Sequence, residues 1–258
     1  MNIELQPQMK DKLFPDNTVL IGYRGSVAHH MYIENTEPNS TDDIDLMGVF
    51  MAPIDHYIGI KKVKETDEKF IDEWDVVSYE FIKFVKLLCK SNPNVMSLLW
   101  IKPEHYVTLN TYGKMLIDNR DLFVSSIAYR SYVGYAHDQL DKMEKHNRKG
   151  YMGAKRKALV EKYGIDTKNA SHCIRLLRMG IEFLNDGKLN VFREDPAELL
   201  DIKNGKWSID EVKDEAERLF VLAKEAHLKT DLPEEPDITK INALVKAALS
   251  DYINKKTI

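Results

Sequence analysis

Near residue 105 the hydrophobic pattern of this chain changes period, and that change limits the fold more than any other feature of the sequence. Before it, short apolar runs stand between turn residues, as half-buried strands do; after it, apolar residues recur at i, i+3, i+4 and i+7, as on one face of a helix. TVLIGY at 18–23 and DIDLMGVF at 43–50 read as strands separated by a polar loop. EKFIDEWDVVSYEFI at 68–82 reads as a third strand handing over to a helix, in which Phe81, Phe84, Val85 and Leu88 share one side. Asn92 and Pro93 suit the N-cap and first position of the next helix. Five long helical segments follow between residues 111 and 255, with DLPEEPD at 231–237 as a linker before the last. The expected architecture is α+β: a small mixed-sheet core over 1–105 and a largely helical part over 106–258 that completes the site.

Composition sets the broad class. Over 258 residues the chain is 43% hydrophobic and 30% charged, which excludes collagen-like and wholly disordered readings. The formal charge of −4 supplies no global attraction to a polyanion, so any nucleic-acid contact must be a local patch. The dense basic stretch HNRKGYMGAKRK at 146–157 is where such a patch is expected. Cys89 and Cys173 each sit in a helical apolar pattern with no second thiol at metal or redox spacing, as expected of buried thiols in a reducing compartment. No apolar run approaches a membrane span and the N-terminus lacks a signal-peptide pattern, so the expected location is cytoplasmic with no membrane partner.

Carboxylates carry the chemistry. Asp43 and Asp45, at i and i+2 of a strand, point to one face with Cα atoms roughly 7 Å apart. Two acids aimed at one point repel unless a cation lies between them, and a pair of divalent ions serving phosphoryl or nucleotidyl transfer is the common solution. Hard oxygen ligands favour Mg2+, with the phosphates of a nucleoside triphosphate completing the shell. Upstream, Gly25-Ser26 ends the first strand, and Ser26 reads as the N-cap of a short helix, VAHHMY, whose amides would suit a phosphate. Asp75, between Trp74 and Val76, is a third acid in a context where burial without a cation or hydrogen bonds is costly, ranked above its neighbouring rivals Asp72, Glu73 and Glu80.

The run GS…DDIDLMGVF followed by Trp74-Asp75-Val76 resembles the DNA polymerase beta nucleotidyltransferase superfamily, whose pattern is h-G-[GS], D-h-[DE]-h and h-[DE]-h. SNPNVMSLLW and KNASHCIRLLRMG resemble a narrower branch, the predicted nucleotidyltransferases of the YcgL type, some associated with RNA-repair operons. The resemblance implies that Gly25 and Ser26 contact phosphate, that Asp43 and Asp45 bind metal, and that Asp75 is the third metal-binding and catalytic carboxylate. Two departures stand out: Arg24 precedes the glycine where the pattern has an apolar residue, and 16 residues separate Ser26 from Asp43.

At 100° per residue, Lys168, His172 and Arg175 fall at about 0°, 40° and 340° on a helix, opposite Cys173, Leu177, Ile181 and Leu184. A solvated basic face is one reading of that arc. The branch resemblance implies the other, a face that closes over the metal site and binds triphosphate. Tyr129, Tyr132 and Tyr135 read as a core-facing stripe, Trp100 as a packing residue, and His29-His30 as structural or exposed. The expected function is transfer of a nucleoside monophosphate from an NTP to a hydroxyl of an RNA end, a protein or a small molecule; a non-catalytic nucleotide or RNA sensor on the same fold is the alternative.

Overall fold

The structure is a computed structural model that describes residues 5–34, 43–144 and 154–257. Helix α1 (Pro7–Leu13) precedes strand β1 (Thr18–Tyr23), which ends in the four-residue α2 (Gly25–Ala28). Strand β2 (Ile44–Phe50) and α3 (Ile54–Ile58) lead into strands β3 (Thr66–Ile71) and β4 (Trp74–Glu80), then α4 (Phe81–Leu88) and α5 (Pro93–Ser97). After β5 (Tyr106–Leu109) come α6 (Thr111–Asp118), α7 (Ala128–Glu144), α8 (Ala154–Tyr163), α9 (Thr167–Asp186), α10 (Pro196–Lys203), α11 (Ile209–Lys229) and α12 (Ile238–Thr257). The fold is α+β, as the change of period predicts.

The strands form one mixed sheet in the order β3-β4-β2-β1-β5, in which only β2 and β4 run parallel. The segment expected as a single third strand is a hairpin: Asp72, whose φ of +56° an aspartate tolerates, turns β3 back onto β4. β5 is a four-residue strand that adds to β1 just beyond the change of period, too short to show alternation. Asn92 caps α5 as expected, its side chain accepting hydrogen bonds from the amides of Asn94 and Val95.

Alternation along the strands sorts the two faces of the sheet. Ile21 and Tyr23, Ile44 and Leu46, and Trp74 and Val76 pack with Leu13 and Phe14 of the α1 region. Met47, Val49 and Val77 point the other way, into a larger core shared with Phe81, Phe84 and Leu88 of α4 and with Tyr132, Cys173, Leu177 and Phe183 of α7 and α9. With period 2, Asp45 and Asp75 lie on that second face and therefore point toward the helices. α9 is the axis of the helical part, with α7, α10 and α11 packed along it. Its N-cap is Asp166, which accepts from the amide of Asn169, and its C-cap is Gly187 in the left-handed conformation. Both thiols are free: Cys173 is fully buried, which pushes its pKa up to about 12, and Cys89 is half-buried and also raised by burial. No helix among the described residues is long and apolar enough to cross a membrane.

The packing of α7 on α9 gives a stability test. A β-carbon at Gly180 would stand 2.9 Å from Cβ of Tyr132, whereas one at Gly134, on the outer side of α7, would meet nothing within 4 Å. Gly180→Val should destabilise by about 1–3 kcal/mol, and Gly134→Ala should stabilise by up to roughly 1 kcal/mol. Both are read as shifts in the urea midpoint at unchanged slope.

Candidate active site

The parallel pairing of β2 with β4 sets Asp45 directly opposite Asp75. The guanidinium of Arg24, the residue after β1, stands between them, with Nη2 3.5 Å from Oδ1 of Asp45 and 3.3 Å from Oδ1 of Asp75. The backbone amide of Arg24 also donates to the carbonyl of Asp45 at 2.9 Å, fixing the end of β1 against the start of β2. The departure from the superfamily pattern therefore has a structural role: Arg24 is the internal counter-ion of the two acids. Burial nevertheless raises the pKa of Asp45, against the opposing pull of Arg24; the nearby Asp75 and Asp43 raise it further, and Lys168 lowers it. Asp43 lies just before β2, exposed, with its charge felt at Asp45.

Gly25 packs against the same carboxylate. Its φ is +58°, and a β-carbon there would lie 1.9 Å from Oδ2 of Asp45, so only glycine fits. Ser26 is not the N-cap expected of it: the helical turn begins at Gly25 with Arg24 at the cap position. The buried Oγ of Ser26 has no hydrogen-bond partner among the described residues.

Gly25, Ser26, Asp45 and Asp75 form one wall of a cavity of about 370 Å³ whose opposite wall is Lys168, His172 and Arg175 of α9. Tyr135 and Lys142 of α7 and Lys203 at the end of α10 complete it. The basic arc inferred from helical periodicity thus faces Asp45 and Asp75 across the cavity. The burial of Cys173, Leu177 and Leu184 accounts for the other side of α9.

Arg175 is the most telling member. It is 6% exposed, yet among the described residues its guanidinium has no carboxylate within ion-pair distance. Two other arginines of the helical part are saturated: Arg178 pairs with Asp195, Glu198 and Glu215, and Arg193 with Glu182 and Asp195. Arg175 instead donates from Nη1 to Nε2 of His29 at 2.6 Å and toward Sδ of Met179 at 3.4 Å. Burial brings its pKa down to about 10. A buried guanidinium without an anion is costly, and the hydrogen bond to His29 offsets only part of that cost.

His29, expected to be merely structural or exposed, is buried and orients that guanidinium. The carbonyl of Val191 can only accept, so Nδ1 of His29 carries the proton and donates to it at 2.8 Å. Nε2 is then free to accept from Arg175, and the ring is neutral. Burial, with Arg175 as a second cause, holds its pKa well below the ordinary value. His172 is depressed for the same reasons, with Lys168, His29 and Lys203 adding to the effect. His30 turns away and stacks on Phe192, with ring centroids 4.2 Å apart.

The tyrosine stripe divides. Tyr132 is core, and Tyr129 stacks on His227 at 4.4 Å. Tyr135 reaches the cavity, its Oη accepting a hydrogen bond from Nδ2 of Asn92 at 2.6 Å. Trp100 packs edge-on against Phe183 as expected. Most of the basic stretch at 146–157 lies outside the described residues; Lys157 is exposed, 4.0 Å from Glu161.

The donor set bears on a metal ion. Among the described residues no three His, Cys, Asp or Glu side chains are gathered closely enough to hold one alone. Two hard carboxylates converge, however, beside a glycine that admits close approach and a serine hydroxyl lacking a partner. Such a donor set would fit a divalent cation that takes its other ligands from a bound anion.

Two tests follow from this electrostatic arrangement. Asp45 has a folded pKa above its unfolded value, so its ionisation opposes folding progressively as pH rises from the unfolded pKa through the raised one. Asp45→Asn should therefore fold more stably than wild type at pH 7 in the absence of metal, by chemical denaturation. His29 and His172 have folded pKa values below the unfolded one, so their contribution is complete above about pH 6.5 and is lost as pH falls. His29→Gln should flatten that acid limb of the stability curve.

Comparison with known proteins places the chain. The model of the family RlaP, described as the RNA repair pathway DNA polymerase beta family, matches residues 36–257, a span that holds Asp43, Asp45, Asp75 and α9. No curated protein matches the sequence. Among solved structures, a nucleotidyltransferase-like protein from Exiguobacterium sibiricum 255-15 is similar at 13% identity and a TM-score of 0.32, over 94% of this chain and 87% of that one. With a family model covering most of its length, the chain belongs to the RNA repair pathway DNA polymerase beta family.

Proposed function

We propose that this protein is a magnesium-dependent nucleotidyltransferase that moves a nucleoside monophosphate from an NTP to an acceptor hydroxyl, releasing pyrophosphate. The observation that carries the reading is Arg175, a buried guanidinium that faces a cavity bearing two paired carboxylates and has no carboxylate partner of its own among the described residues. The triphosphate is the missing anion. Lys168, His172 and Arg175 bind it from α9, and Gly25 and Ser26 bind it from the end of β1, where the hydroxyl of Ser26 gains its hydrogen bond.

Asp45 and Asp75, with Asp43 beside them, would hold a pair of Mg2+ ions, which when bound neutralise the phosphates and lower the pKa of the attacking hydroxyl. Asp75, the more exposed of the facing pair, takes the proton of the acceptor hydroxyl. The acceptor oxygen forms its bond to the α-phosphorus as the bond from that phosphorus to the bridging oxygen of pyrophosphate breaks. Arg175 and Lys168 offset the charge that collects on the leaving pyrophosphate. His29 keeps Arg175 aimed by accepting its hydrogen bond. The runs at 91–100 and 168–180 support the YcgL-type branch of these enzymes. The family's description favours RNA as acceptor over a protein or small molecule, and the two free thiols fit a cytoplasmic setting.

One observation favours a second reading, a nucleotide or RNA sensor without turnover: Arg24 already places a cation between the two carboxylates that would hold a metal. The two readings separate in one assay. With each NTP, Mg2+ and total RNA, the transferase releases pyrophosphate, and Asp43→Asn, Asp45→Asn or Asp75→Asn should lower the rate by at least about a hundredfold with folding retained. Magnesium-dependent nucleotide binding without pyrophosphate from any acceptor would establish the sensor, and full activity in the aspartate variants would remove the assigned chemistry.

A further inference from the structure

Asp75 and Arg24 also border a second depression, of about 480 Å³, whose described lining residues include none from α9. Its other members are Glu68, Lys69 and Phe70 of β3 and Val77 and Tyr79 of β4. The β3/β4 register puts Phe70 directly opposite Asp75, Glu68 opposite Val77, and Thr66 opposite Tyr79, so these side chains share the sheet face on which Asp75 lies. Phe70 is 63% exposed and, among the described residues, belongs to neither hydrophobic core. Tyr79 lies half-buried beside it, its hydroxyl pKa raised by burial and by Glu68 and lowered by Arg24.

We propose that this depression is the acceptor subsite and that it takes the terminal nucleotide of a single-stranded nucleic acid, the base stacked on Phe70 and the terminal hydroxyl presented to Asp75. The inference rests on the transferase reading and names its second substrate. A reaction between two substrates needs the reacting group at a boundary, and Asp75 and Arg24 are such a boundary, bordering the triphosphate cavity on one side and this depression on the other. Directly opposed residues on neighbouring antiparallel strands hold their Cβ atoms about 5 Å apart. A base on the Phe70 ring therefore leaves its sugar beside the Asp75 carboxylate.

The chemistry of the depression selects a nucleoside over a phosphodiester track. The ammonium of Lys69 is committed to the carbonyl of Lys12 at 3.0 Å and to Asp67 at 3.5 Å, which leaves Arg24 as the cation facing the space among the described residues. Glu68 and Asp75 are acceptors suited to sugar hydroxyls and base amino groups. An exposed aromatic face is sequence-tolerant toward bases, because every base has a π-face, while a serine or threonine of a peptide has none to stack.

The test uses the whole protein and a fluorescein-labelled ribotrinucleotide with a free 3′ hydroxyl. Phe70 is exposed, so its replacement leaves the core intact. By anisotropy, Phe70→Ala should weaken trinucleotide binding about tenfold to a hundredfold, whereas Phe70→Trp should retain it and show indole quenching as the trinucleotide is added. Binding of ATP to the cavity, measured separately by calorimetry, should be unchanged in both variants. A deoxyribose version that binds equally would identify the base as the recognised group; weaker binding would bring the 2′ hydroxyl into the same site. The proposal is overturned if Phe70→Ala binds the trinucleotide as wild type does, if wild type does not bind it, or if a serine-containing peptide quenches the Phe70→Trp indole in its place. Absence of binding of any of the four NTPs to wild type would instead contradict the transferase reading on which the subsite rests.

Discussion

The parallel pairing of β2 with β4 is the constraint on which the rest of the site depends. It brings two aspartates from strands about 30 residues apart in sequence into direct register, on the face of the sheet that looks toward the helices. Two carboxylates so placed are unstable together, and the chain resolves the repulsion locally with the guanidinium of Arg24. The fold then places a second group of charges opposite the first. Lys168, His172 and Arg175 line the far wall because α9 is held by α7, α10 and α11 with its apolar side inward. Acids on the sheet and bases on the helix thus face each other across one cavity.

The two sides are not equally settled. The Arg24 bridge offsets part of the acids' repulsion, whereas among the described residues Arg175 has a neutral histidine and a thioether sulfur as its hydrogen-bond partners. The difference has a physical reading. An arginine that spans a pair of acids can leave when a divalent cation arrives, because its charge is replaced, and it is then available to a phosphate oxygen. An arginine that never had a carboxylate gains its counter-charge only when ligand binds. Binding of a cation–triphosphate complex would therefore improve the electrostatics on both walls.

Much of the site could be read from the sequence where the chemistry is local. The cavity-facing position of Asp45 follows from strand alternation, and the basic face of α9 from helical periodicity; Asp43, expected on the same strand face, instead lies just before β2, exposed and outside the cavity lining. Asp75 follows from an acid set among apolar neighbours. What could not be read depends on contacts distant in sequence. His29 looked like half of an unremarkable histidine pair because its two partners, Val191 and Arg175, lie some 150 residues away. Arg24 looked like a defect in a pattern because its acids are on two other strands. The β3/β4 hairpin was read as one strand since Asp72-Glu73 is as polar as an exposed strand position, and no glycine marks the turn. α8 escaped notice because charges surround it on all sides, and β5 because four residues are too few to establish a period.

The proposed function requires that the cavity between the sheet and α9 bind a nucleoside triphosphate through a cation held by Asp45 and Asp75. Calorimetric titration of wild type with an NTP analogue carrying a methylene bridge between its α- and β-phosphates tests it directly, with and without Mg2+. The account predicts binding that strengthens at least about tenfold with Mg2+ and loses that gain in Asp45→Asn and Asp75→Asn. Affinity independent of Mg2+, or a gain that survives loss of both carboxylates, would contradict it.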